Sequence, residues 1–254
     1  MAVALALRGV AEWATGRAGW REDFDRAMAM ASEFDPNAKA AVIAYKYCLA
    51  IPRGVVLVDD AVLREIEAAL VVAERSSDDM GVVLLQMTFG IAQIHHLDRQ
   101  RGFNILRDLR ATCVSEQFAL NVVPVFDVYL AREAAEHGET ELAVHHLRTI
   151  YAEMLSSGNY GSTDLAVAAL VETLLARGAS GDIEESDTVV GELAATVGAE
   201  GAWISRDLTV MRLRALLAQA RRDEPTYRDL RDRYRAMAND LGFEGHMVWA
   251  AAMA

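Results

Sequence analysis

The chain has 254 residues, 53% of them hydrophobic, with only 7% aromatic residues, 4 prolines and a formal net charge of −12. That length and apolar content suit one large domain or two small ones with ample core. The acid excess argues against contact with phosphate backbones, so no nucleic acid is expected as a partner.

In chain order, the pattern predicts helices beginning near Val3, Trp20, Asn37, Asp59, Asp78, Asp98, Asn121, Glu139, Ser162, Asp182, Trp203, Glu224 and Phe243. Ala, Leu and Met dominate the apolar set and all favour helix. No useful segment alternates with period two, so no sheet is expected. Asp59, Asp78, Asn121, Ser162 and Asp182 carry side chains suited to capping a helix N-terminus. Pro36, Pro52, Pro124 and Pro225 fall between helices or in a first turn, and Gly19, Gly138, Gly158, Gly181, Gly198 and Gly242 fall at predicted ends. The Val-rich piece IPRGVVLVDD, residues 51–60, could be extended, but a lone strand has no partner; it reads as a loop. The apolar run MGVVLLQMTFGIAQI, residues 80–94, is too short to span a membrane and reads as a central buried helix. The end segment FEGHMVWAAAMA reads as a cap, with Phe243, Met247, Val248 and Trp249 as its apolar residues.

The stretch EHGETELAVHHLRTIY, residues 136–151, holds His137, His145 and His146 among three glutamates. Adjacent helical residues point about 100° apart, so the pair does not converge on one ion, and helical zinc sites prefer i,i+4 histidines. This reads as a helical turn, with Leu142, Leu147, Ile150 and Met154, joined by His146, on the buried face and Glu139 and Glu141 against the helix dipole. His95 and His96 end the long apolar helix, where Asp98 could pair with either. No metal or cofactor is expected. Cys48 and Cys113 lie in apolar helical contexts with no CxxC pair, which reads as buried reduced thiols in a cytoplasmic protein. Neither a nucleophile elbow nor a Gly-Lys phosphate loop is present, so no enzyme activity is expected. Between Arg206 and Arg235, nine Arg face five acids; a solvated face of i,i+4 pairs is the ordinary explanation and a dock for an acidic partner the sharper one.

Three stretches repeat a common plan: GWREDFDRAMAMASEFDPN from Gly19, GETELAVHHLRTIYAEMLSSG from Gly138 and GDIEESDTVVGELAATVG from Gly181. Each has Gly in a turn, an acidic first turn and an amphipathic helix, and each follows a helix rich in small and aliphatic residues. This arrangement resembles tetratricopeptide repeats, with Gly19, Ala27, Ala31, Asp35 and Pro36 the fullest match, and Gly138, Ala143, Gly181, Asp182 and Leu193 partial ones. The spacing is nearer forty than the usual length of about thirty-four, and Asp-Pro occurs once. The resemblance implies an all-α fold: an α-α superhelix of about six antiparallel helix pairs plus a C-terminal capping helix, as a single helical-repeat domain over residues 1–254. The segment TVMRLRALLAQARRDEPTYRDLRDRYRAMANDLGFEGHMVWAAAM further resembles the helical tails of actinobacterial adenylate or guanylate cyclases and LuxR-type ATPase regulators.

On this reading the chain is a non-catalytic protein-interaction or regulatory module with a protein or peptide partner. The alternative is a small-molecule sensor closing around an effector. Residues near the turns on the first helix of a pair, off the core stripe, are the groove candidates: Trp13, Arg17, Arg132 and Glu136.

Overall fold

The computed structural model describes residues 1–31, 35–76, 78–96, 98–200 and 203–253. Among them there are thirteen α-helices and no strand: α1 Ala2–Ala14, α2 Trp20–Ala31, α3 Pro36–Tyr47, α4 Asp60–Ser76, α5 Asp79–His96, α6 Arg99–Glu116, α7 Val123–Glu136, α8 Thr140–Ser157, α9 Thr163–Arg177, α10 Asp182–Glu200, α11 Ile204–Ala220, α12 Glu224–Leu241 and α13 Glu244–Ala252. Each begins within two residues of its sequence-predicted start.

Capping explains part of this agreement. Asp59 and Asp78 accept backbone N–H bonds from Val62 (2.8 Å) and Gly81 (3.0 Å), closing the first turns of α4 and α5. Asp35, Asp98 and Asp223 do the same for α3, α6 and α12. Three expected caps fail. Val122 precedes α7 in place of Asn121, Ser162 makes no capping bond, and Asp182 turns back to accept from the Ala179 N–H (2.7 Å) and to pair with Arg177 (2.5 Å). Gly198 does not end a helix, because α10 continues to Glu200. Gly242 does end α12, in the left-handed conformation (φ 64°) that costs glycine least.

The chain divides into two compact units. The first comprises Met1–Ala119 with Phe243–Gly245, and the second Leu120–Gly242 with His246–Ala254. Within the first, α1 packs on α2 and α3, α3 on α4 and α5, and α5 on α6. Helix α5 is enclosed from Met87 to Ile94, the buried helix expected from its unbroken apolar run. Gly90 of α5 and Gly102 of α6 bring the two backbones into contact: a methyl group on Gly102 would sit 2.5 Å from the Gly90 carbonyl oxygen. Residues 51–56 form a loop, as expected, and Ile51, Arg53, Gly54 and Val55 are buried in it.

In the second unit every helix from α7 to α12 packs on the next, and α9 also packs on both α7 and α11. Short turns make such consecutive helices antiparallel hairpins. Helix α9 is the centre: Ala166 to Val171 and Leu174 are all buried, against Leu147, Ile150 and Met154 of α8 and Leu213 and Leu217 of α11. Two apolar expectations are corrected here. Leu142 is exposed, and Ala143 and Val144 take the inward positions of α8. In α13, Met247 and Val248 are exposed and Trp249 is half-buried, while Gly245, His246 and Ala250 are the buried residues. A helix so short exposes one face, and Met247 and Val248 lie on it beside Ala251 and Ala252.

Candidate functional site

The second unit carries a line of charge, one residue from each of α7, α9 and α11. Arg132 of α7 donates from Nη2 to Glu172 Oε2 of α9 at 2.8 Å, and Arg212 of α11 donates to Glu172 Oε1. Arg132 and Arg212 each stand forty residues from Glu172. Equal spacing places the three at one register on successive helices, where they meet. The side chains are enclosed by protein yet remain 35%, 31% and 15% exposed for Arg132, Glu172 and Arg212. Burial pushes the Glu172 carboxyl up, but the fields of Arg132 and Arg212 and the hydrogen bond from Arg212 outweigh it, leaving the group below the usual carboxylate range. Glu172 is therefore ionised at neutral pH, and the line carries one net positive charge.

Beyond Arg212 the line continues into aromatic groups. The Arg212 guanidinium lies 5.2 Å from the Trp249 ring centroid, and Trp249 meets His246 edge to face at 4.9 Å. Tyr234 Oη and His246 Nδ1 are 2.8 Å apart, and burial holds the Tyr234 hydroxyl protonated far above its ordinary range. The Nε atoms of Arg132 and Arg212 are buried without a hydrogen-bond partner among the described residues.

Of the four groove residues read from the sequence, only Arg132 belongs to this line. Glu136 is exposed at the end of α7. In the first unit, Trp13 is enclosed at 1% exposure, its ring edge to face with Phe243 at 6.5 Å. It is a core residue and lines no open surface. Arg17 is exposed just past α1, its backbone N–H bound to the Glu12 carbonyl. Glu172 and Arg212 went unremarked in the sequence, although the forty-residue repeat spacing would have aligned them with Arg132.

The histidine-rich stretch spans the turn between α7 and α8, with His137, His145 and His146 all exposed. His96 contacts Asp60 at 2.9 Å, not Asp98, which is occupied in capping α6. Among the described residues no three His, Cys, Asp or Glu side chains are grouped so as to hold a metal ion. Cys48 and Cys113 are free and buried, and burial pushes the Cys48 thiol up to about 12, the opposite of an activated nucleophile. Within the Arg206–Arg235 segment Arg228 pairs with Glu224, Arg233 with Asp229 and Arg231 with Asp232, while Arg221 reaches Asp187 and Arg212 reaches Glu172 outside it.

The first unit holds a half-open recess of about 320 Å³ between α2, the end of α3, residues 56–62 and Glu244. Trp20, Phe24 and Tyr47 line it with Val56, Leu57 and Val62. Arg21 and Lys46 face Asp25, Asp59 and Glu244 around its walls. Glu244 accepts from the Leu57 N–H at 3.1 Å and meets Arg21 at 3.4 Å. The Tyr47 hydroxyl donates to Glu65, which also holds Lys46 at 3.2 Å. Burial, then Glu65, then the charges of Asp59 and Glu244 hold that hydroxyl protonated.

In comparisons with known proteins, no protein-family model, no curated protein and no solved structure matches this chain. Among the described residues, no helix is long and apolar enough to cross a membrane.

Proposed function

We propose that the chain is a non-catalytic interaction and regulatory module, a tetratricopeptide-like solenoid of about six helix pairs with a C-terminal capping helix, working in the cytoplasm of a bacterium. In this reading a protein or peptide partner lies across the odd-numbered helices of the second unit. The observation that carries it is the Arg132–Glu172–Arg212 line. Charged side chains at one register on three consecutive odd helices, held by each other yet open to solvent, offer a row of preorganised polar contacts. An extended chain crossing such a row meets a donor, an acceptor and a donor in turn. The buried high-pKa thiols and the exposure of His95, His96, His137, His145 and His146 support a role without catalysis. The resemblance of residues 209–253 to the tails of cyclases and LuxR-type regulators supports a place in signalling.

Selection from a random peptide library against the purified chain tests this. The expected result is a family of related peptides whose affinity falls at least about tenfold on Arg132→Ala and on Glu172→Arg, without loss of helicity. Peptides indifferent to both substitutions, or no sequence-specific binders, would refute it. The second reading, a small-molecule sensor, is favoured by the aromatic-lined recess of the first unit, where a ligand of that size has a ready-made place.

A further inference from the structure

The recess of the first unit displays its own recognition chemistry twice. The Arg21 guanidinium carbon stands 4.0 Å over the Trp20 ring while Nη2 reaches Glu244. Lys46 Nζ stands 4.7 Å over the Tyr47 ring while it contacts Glu65. Each time, a cation rests on an aromatic face with a carboxylate beside it, the arrangement that selects positive charge. The two cations are held differently. Lys46 is half-buried and close to Glu65 at 3.2 Å, whereas Arg21 is 45% exposed and meets Glu244 at 3.4 Å, longer than a good charge-assisted bond. An exposed pair of that kind contributes little to folding.

Charge fixes what could replace it. With Lys46 taken by Glu65, lifting Arg21 away leaves three carboxylates, Asp25, Asp59 and Glu244, around the recess against the single lysine. An anion would be repelled there, and a neutral ligand would leave the carboxylates facing an emptied aromatic wall. Phe24, Val56, Leu57 and Val62 supply apolar surface for a stem of a few carbons. We propose that this recess is a binding site for an organic cation, a guanidinium or ammonium on a short apolar stem, which takes over the Trp20 face and the Glu244 carboxylate that Arg21 now holds. Arg21 is then an internal competitor that sets the affinity. This inference concerns the first unit alone and stands whether or not the second unit holds a peptide.

Calorimetric titration of the full chain with n-butylguanidinium tests it, with uncharged n-butylurea as the isosteric control. Arg21→Ala should bind the cation about tenfold more tightly than the unaltered chain. Adding Glu244→Gln, which keeps an oxygen to accept from the Leu57 N–H, or Asp25→Asn on the exposed wall, should take that gain away. Butylurea should not bind either form. A short arginine-containing peptide separates the sources: binding tighter than the free ion marks a partner's side chain as the natural occupant, and equal binding marks a small molecule. If Arg21→Ala binds the cation no better than the unaltered chain while its melting curve is unchanged, or if butylurea binds as well, the proposal is overturned.

Discussion

Replacing Gly102 with alanine puts the close contact between α5 and α6 to the test. The new methyl carbon would lie 2.5 Å from the Gly90 carbonyl oxygen, 2.6 Å from Ile94 Cγ1 and 2.9 Å from the Ile94 backbone nitrogen. Carbon and carbonyl oxygen in contact sit at about 3.3 Å or more. Helices α5 and α6 must therefore separate by several tenths of an ångström, and two of the three obstacles are backbone, which cannot rotate aside. Overpacking of this kind costs about 1–3 kcal/mol. Alanine also gains about 1 kcal/mol of helix propensity over glycine. Parting two backbones loosens every side chain between them, so the clash should prevail, with a net loss of up to about 2 kcal/mol. Gly191 of α10 supplies the opposite case, since a methyl there meets nothing within 4 Å. Gly191→Ala should stabilise its unit by about 0.5–1 kcal/mol. Urea unfolding followed by circular dichroism measures both. If Gly102→Ala unfolds at the same or a higher urea concentration than the parent, the two backbones are not in contact at this crossing.

Acid should weaken the second unit through Glu172. Its folded pKa lies below its unfolded one, so its ion pairs stabilise the fold at neutral pH, and that contribution fades as pH falls through the folded value; Glu172→Gln should flatten the acid limb of a stability-against-pH curve, and an unchanged limb would show that other carboxylates govern it. Cys48 and Cys113 should resist a thiol-directed alkylating reagent at pH 8 in the native chain and react at once in denaturant, because both are buried and burial raises both thiol pKa values; rapid native labelling of either would contradict the packing. Trp249→Ala should cost about 1–3 kcal/mol, less than a fully buried Trp, and lower the thermal midpoint by a few degrees; an unchanged midpoint would mean that the contacts with His246 and Arg212 add nothing to stability.

The helices were legible because their signals are local. An Asp before an apolar period, a Pro in a first turn and a Gly after a last turn each act within four residues, and α3, α4, α5 and α12 begin where those signals lie. The site was much less legible. Arg132 could be placed on a helix, but its partner lies forty residues away and only packing reveals the pairing. Trp13 was misplaced because position near a turn says nothing of depth, and Phe243, which covers it, comes from the far end of the sequence. Met247 and Val248 look inward by composition alone, yet a short helix with alanine on two sides can turn either face to its neighbours. The recess draws on α2, α3, a loop and Glu244, a set of segments that no local pattern joins.

The alternation of Arg132, Glu172 and Arg212 also bears on how such a chain can change length over generations. Tandem segments of similar sequence invite unequal recombination, which adds or drops one segment at a time. Loss of the hairpin formed by α9 and α10 would set Arg132 against Arg212 at the same register, two guanidiniums with no carboxylate between them. Duplication of that hairpin would set one glutamate beside another. Either product begins with like charges in contact, a fault that its parent lacks. Single-segment gain or loss at this point is therefore handicapped from the first generation, and the charge pattern acts as a tally of the segments around it.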